Sequence, residues 1–165
     1  MNDLLHNLIE ALREELKQYG EMLAVMEQQQ DLVVQRQCSQ LLANVQQTQS
    51  QGDVVAAVRR ERSQRQRNVA RQAGLPEESS IAEIIPRLEP AYRPLMQALV
   101  HENNELLHRV QQRARQNHLL LSHAVDLNRQ LIESILPGTG LKTYDKSGRT
   151  PSAPSAAYSL YESVG

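Results

Sequence analysis

The chain has 165 residues, no Phe, no Trp and five Tyr, so it suits one domain but offers little bulky material for a thick globular core. A thin bundle sealed by Leu, Val, Ile and Met is the expected alternative. A net charge of −1 and a pI near 6.5 exclude a global field that would draw the molecule to nucleic acid or to an anionic membrane, so partners must be sought in local surfaces.

The N-terminal stretch MNDLLHNLIEALREELKQYG is acidic and amphipathic, without the basic segment, apolar run and small-residue cleavage site of a secretory leader. Leu5, Ile9, Leu12, Leu16, Tyr19, Leu23, Met26, Gln30 and Val33 follow one another in steps of four and three, which reads as a coiled-coil seam on a helix over 3–35. Asp3 suits its N-cap or first turn. The end of this helix is weakly signalled around 36–39, with Ser39 a candidate N-cap for a second helix over 39–73. That helix carries Leu41, Leu42, Val45, Val54, Val55 and Val58 in its first half and the polar run RRERSQRQRNVARQ in its second. Gly74 reads as a left-handed stop, followed by Pro76.

Pro76, Pro86, Pro90 and Pro94 leave room between 74 and 94 for one short helix over 79–85, with Ser79 or Ser80 and Glu83 forming a capping box. No Gly or Pro occurs between Pro94 and Pro137, so a last helix is expected from near Pro90 to Ile135, about 65 to 70 Å long at the helical rise. Its seam runs through Met96, Leu99, Asn103, Leu106, Val110, Arg113, Asn117, Leu120, Ala124, Leu127 and Leu131. Polar residues at seam positions cost stability but fix register and partner choice. Residues 119–121 form one of the longest aliphatic runs, far too short to span a bilayer.

After Pro137 the sequence turns to Gly, Pro, Ser and Ala yet keeps three of the five tyrosines, Tyr144, Tyr158 and Tyr161. Such a tail is a candidate docking segment, since Tyr supplies large contact area for few rotatable bonds; ordinary tail residues folded back on the bundle are the alternative. The expected architecture is all-α, an elongated antiparallel bundle of three long helices and one short one, with a bundle domain at 1–136 and a flexible tail at 137–165.

Candidate chemistry is sparse. Glu105 and His108, with Glu102 one turn earlier, have the spacing of carboxylate-bridged di-metal bundles, but no second Glu-x-x-His stands on another helix, so solvated helix surface is expected and no metal or cofactor. His118 and His123 are five apart, on different faces, and do not form a zinc pair. The single Cys38 can make no intrachain disulfide and lacks a nearby base, which favours a reducing cytosol and argues against nucleophilic catalysis. Arg59, Arg60, Arg62, Arg65, Arg67 and Arg71 crowd the second helix without interleaved aromatics, so a solvated face, or one paired with acids such as Glu14, Glu15 and Glu21, is expected in place of a nucleic-acid site. An enzyme is not expected, because no convergent polar set can be assembled.

Three stretches, LIEALREELKQYGEMLAVMEQQQDLVV in the first helix, HENNELLHRVQQRARQNHLLL in the last and LKTYDKSGRT in the tail, together resemble the FlgN family of flagellar type III export chaperones over about residues 3–150. EQQQDLVV, NNELL and RQNHLLL carry the specificity. The resemblance implies a cytosolic chaperone that holds the aggregation-prone terminal helices of the hook-filament junction proteins FlgK and FlgL and delivers them to the export gate, whose cytoplasmic platform is FlhA. It implies client binding at the end of the last helix, by Leu120, Leu121, Leu127, Leu131, Ile132 and Ile135, and in the tail. It also implies gate binding by Tyr144, in its Tyr-x-x-x-Gly context. Tyr158 and Tyr161 match nothing in the family. The competing function is a structural coiled coil that self-associates through the seam of the last helix; homodimer formation depends on how much of that helix the first two leave uncovered.

Overall fold

The computed structural model describes residues 2–135. The tail and Tyr144, Tyr158 and Tyr161 lie outside the described residues. The described chain is helical without strands: α1 (Asn2–Val34), α2 (Cys38–Gln72), a short α3 (Ile81–Ile84) continued by one turn of 3-10 helix (Ile85–Arg87), and α4 (Arg93–Ile135). Contacts divide it into one unit at Met1–Arg115 and another at Gln116–Gly165, with the boundary inside α4. In the first unit the three long helices run up, down and up.

Each boundary has a local cause. Asp3 lies in the first turn of α1, where a carboxylate complements the helix dipole. At the other end the Gln37 N–H donates to Leu32 O at 3.0 Å and the Arg36 N–H to Val33 O at 3.2 Å, a Schellman closure whose left-handed residue is Arg36, at φ 58°. The same motif ends α2 with the expected glycine: Gly74 has φ 72°, and the Leu75 N–H reaches Ala70 O at 2.9 Å. Ser39 is not the cap of α2. Gln37 takes that position, its side chain makes no capping bond, and the helix starts at Cys38. The capping box over α3 forms on Ser80. There the Ser80 N–H donates to Glu83 Oε2 at 2.6 Å, and the Glu83 N–H to the Ser80 hydroxyl at 3.3 Å. The first of these bonds, then that from the Ser80 hydroxyl, holds the Glu83 carboxyl below its ordinary value. α4 begins at Arg93, three residues later than Pro90, with Pro94 in its first turn where a missing N–H costs nothing. The Arg93 guanidinium donates to Leu88 O at 2.9 Å and Pro86 O at 3.0 Å, tying the start of α4 to the crossover, the segment 73–92 that links α2 to α4.

Two apolar clusters fill the first unit. One gathers Leu5, Leu8, Ile9 and Leu12 of α1, Val69 and Ala70 of α2, Ile84, Ile85 and Leu88 of the crossover, and Met96 and Leu99 of α4. Leu8, Val69, Ile84 and Met96 are the largest fully buried side chains, each worth about 1.5 to 3 kcal/mol of transfer free energy. The other gathers Tyr19, Met22, Leu23 and Met26 with Val110, and Val55, Leu106, Leu107 and Ala114 pack against it. Gly20 lies here in mid-helix, and an added Cβ would meet Leu106 Cδ2 at an ordinary 4.0 Å. Gly20→Ala should therefore stabilise by about 1 kcal/mol through backbone entropy, a rise of roughly 2 to 4 °C in Tm by thermal denaturation; a fall would mean that α1 and α4 sit closer than this.

A polar layer separates the clusters. The Glu15 carboxylate, only 4% exposed, accepts from the Tyr19 hydroxyl at 2.8 Å and from Arg62 Nε at 3.0 Å, with Arg59 Nε at 3.9 Å. Burial pushes the Tyr19 hydroxyl well above the ordinary tyrosine range; the Glu15 carboxylate adds to this, and Arg59 and Arg62 oppose it. Across the layer, buried Asn103 donates from Nδ2 to Leu12 O at 3.1 Å and Leu99 O at 2.9 Å, leaving its buried Oδ1 without a hydrogen-bond partner. That oxygen costs about 1 to 3 kcal/mol. Asn103→Leu should recover much of this and raise Tm, while loosening the α1–α4 register that the Asn specifies; unchanged or lower stability would show that the two carbonyl contacts outweigh the orphaned oxygen.

The packing of α2 on α1 is the least apolar feature of the fold. Its inward positions are Asn44, Thr48, Gln51, Val55, Arg59, Arg62, Gln66 and Val69, at steps of three and four but mostly polar. Asn44 Nδ2 donates to Val25 O at 3.1 Å, Gln51 Nε2 to Gln18 Oε1 at 2.7 Å, and Gln66 Nε2 to Ser79 O, in the crossover, at 2.8 Å. Leu42, Val45 and Val54 point outward.

Candidate functional site

The last helix changes character along its length. Met96, Leu99, Asn103 and Val110 are buried, Leu106 and Arg113 half-buried, and Arg113 pairs with Gln30 and with Glu27. The same three-and-four spacing continues in the second unit through Asn117, Leu120, Ala124, Leu127 and Leu131, but exposure rises: Asn117 is buried, Leu120 and Ala124 half-buried, and Leu127 and Leu131 are 60% and 57% exposed.

Helical geometry gathers Leu120, Leu121, Ala124, Val125, Leu127, Leu131, Ile132 and Ile135 on one broad arc around the exposed Asn128, with Ser122, His123, Asp126 and Gln130 on the opposite side. Of the six residues expected at a client site, Leu127, Leu131, Ile132 and Ile135 are exposed, while Leu120 and Leu121 are half-buried. Val125, 66% exposed, belongs to the same arc and was not among them. Its place beside Leu121 and Ile132 on a helical projection was the available signal. Leu119, also exposed, falls outside the arc. Apart from Asn128 the arc is apolar, and it holds no titratable group.

The remaining candidates are placed as follows. Glu102, Glu105, His108, His118 and His123 are exposed on α4, and among the described residues no group of three or more His, Cys, Asp or Glu is placed to hold a metal ion. Cys38 is exposed at the first position of α2. Arg59 and Arg62 turn to Glu15, Arg65 pairs with Glu61, and Arg71 binds Glu77 at 2.7 Å. Of the three acids expected to face the arginines, Glu15 does so; Glu14 and Glu21 flank Lys17. A shallow open cleft lined by Leu4, Asn7, Glu61, Gln64, Arg65 and Asn68 contains no catalytic set, since Glu61 is engaged by Arg65 and Asn68 by Gln64. Among the described residues, no helix is long and apolar enough to cross a membrane.

No curated protein and no solved structure matches the chain. The model of a family described as FlgN protein matches residues 1–152, which takes in every helix above and the apolar arc. The chain belongs to the FlgN family of flagellar export chaperones.

Proposed function

We propose that this protein binds the hook-filament junction proteins FlgK and FlgL in the cytoplasm, keeps their terminal helices from assembling prematurely and delivers them to the type III export gate. The observation that carries this reading is the apolar arc of α4, where Leu127, Leu131, Ile132 and Ile135 are each more than half exposed. Solvent-facing apolar residues in helical register fit the apolar face of a client helix. Residues 1–136 act as the chaperone domain and 137–165 as a docking tail, with Tyr144 the contact to FlhA. The roles of FlgK, FlgL, FlhA and Tyr144 rest on the family resemblance. The protein performs no covalent chemistry in this reading.

A second reading has its own support. The spacing of Leu120, Ala124, Leu127 and Leu131 would equally suit a second copy of α4, giving a self-associating coiled coil with no client, or a homodimer that exchanges for one. Calorimetry with C-terminal fragments of FlgK and FlgL separates the two, using the full chain beside a truncation ending at Leu136. Client binding that weakens on truncation supports the chaperone and assigns part of the contact to the tail. Absence of binding to either fragment, together with concentration-dependent oligomers in sedimentation, overturns it in favour of the coiled coil.

A further inference from the structure

The two halves of α2 are held by different chemistry. Over 57–72 the helix is anchored by Arg59 and Arg62 on buried Glu15, by Gln66 on Ser79 O, by Val69 and Ala70 in the apolar core and by the Gly74 closure. Over 38–53 the buried residues are Asn44 and Gly52, while Leu42 and Val45 are 65% and 39% exposed. The segment's one charged residue, Asp53, makes no ion pair among the described residues. Its side-chain hydrogen bonds to α1 are donated by the amides of Asn44 and Gln51, and the buried Asn44 Oδ1 has no hydrogen-bond partner.

The start of the helix is equally weak. Arg36 stands before it in the left-handed region, Gln37 caps it without a side-chain bond, and no acid occupies its first turn. Val45, Thr48, Gly52 and Asp53 are poor helix formers. Releasing this half would expose little new apolar surface of its own, because Leu42 and Val45 already face water and Leu41 is its one half-buried aliphatic residue.

We infer that residues 38–53 form a strap that opens from α1 as a local unit while 57–72 stays docked. Opening uncovers the α1 face that carries Gln18 and Val25, including Met22 and Leu32, which are 5% and 6% exposed when the strap is closed. The hinge lies at residues 54–56, before the Glu15 anchor.

Native-state hydrogen exchange on the full chain, read by mass spectrometry, tests this directly. Amides over 42–53 should be protected, but on the order of 100-fold less than those over 58–72. Gln37→Asp, which supplies an N-cap and a first-turn negative charge, should slow exchange over 42–53 several-fold and leave 58–72 unchanged. Equal protection of the two halves overturns the strap, as does complete absence of protection over 42–53, which would mean that it never closes. No effect of Gln37→Asp on 42–53 overturns it too.

Discussion

Glu15→Ala is expected to cost about 3 kcal/mol and to lower Tm by roughly 10 °C, the largest loss from any single side chain in the polar layer. Removing the carboxylate strands the buried Tyr19 hydroxyl, itself about 1 to 3 kcal/mol, and leaves Arg62 without the acceptor at 3.0 Å. Arg59 and Arg62 keep 26% and 21% exposure and can turn partly to water, which holds the loss below that of a sealed ion pair. Glu15→Gln retains an acceptor and should cost less than half as much. Denaturation of the two variants beside the parent decides the matter; a shift of under a degree for Glu15→Ala would mean that the arginines are already solvated. The same site makes the fold sensitive to alkali. Because the folded-state Tyr19 hydroxyl titrates above its unfolded value of 10.0, its contribution is complete below pH 10 and is lost as pH climbs toward the folded value. Stability should fall above pH 10, and Tyr19→Phe should flatten that fall at the cost of about 1 kcal/mol at neutral pH.

This layer also marks where sequence patterning stops being informative. On α1 the seam through Leu5, Ile9, Leu12, Tyr19, Leu23 and Met26 is buried as its spacing implies, with Leu16, Gln30 and Val33 half-buried. The second inward face of α1, through Ala11, Glu15, Gln18, Met22, Gln29 and Leu32, was not legible, because its partner face on α2 is a row of Asn, Thr, Gln and Arg that carries no hydrophobic period. Of the apolar residues that stand out in the first half of α2, Leu42, Val45 and Val54 face solvent, while Leu41, Val55 and Val58 are half-buried. Gly74 announced its turn because glycine enters the left-handed region freely; Arg36 adopts the same conformation without any residue-type signal. On α4 the spacing held through Val110 and Asn117, but a helical period reports which residues share a face and is silent on whether that face finds a partner. Leu127 and Leu131 continue the pattern of Leu99 and Val110 and are exposed all the same.

That exposed continuation should yield the largest functional effect. Replacing both Leu127 and Leu131 with Gln is expected to weaken binding of a FlgK or FlgL terminal fragment by about 100-fold or more, since burying each leucine in a client interface is worth about 1.5 to 3 kcal/mol. Gln matches Leu closely in helix propensity, and both side chains already stand in water, so Tm should move by no more than about a degree. A loss of binding with unchanged stability can then be assigned to the contact and not to unfolding. Leu42→Gln serves as the discriminating control: that residue is as exposed as the α4 pair but belongs to a different helix. If Leu42→Gln abolishes binding and the α4 double substitution spares it, the client sits on α2 and the proposed arc is refuted. If neither weakens binding, recognition does not run through these apolar faces, and the tail must carry it. The double substitution also separates client binding from self-association when sedimentation is run in parallel. A coiled coil formed through the same arc would dissociate, whereas a chaperone monomer would sediment unchanged while losing its client.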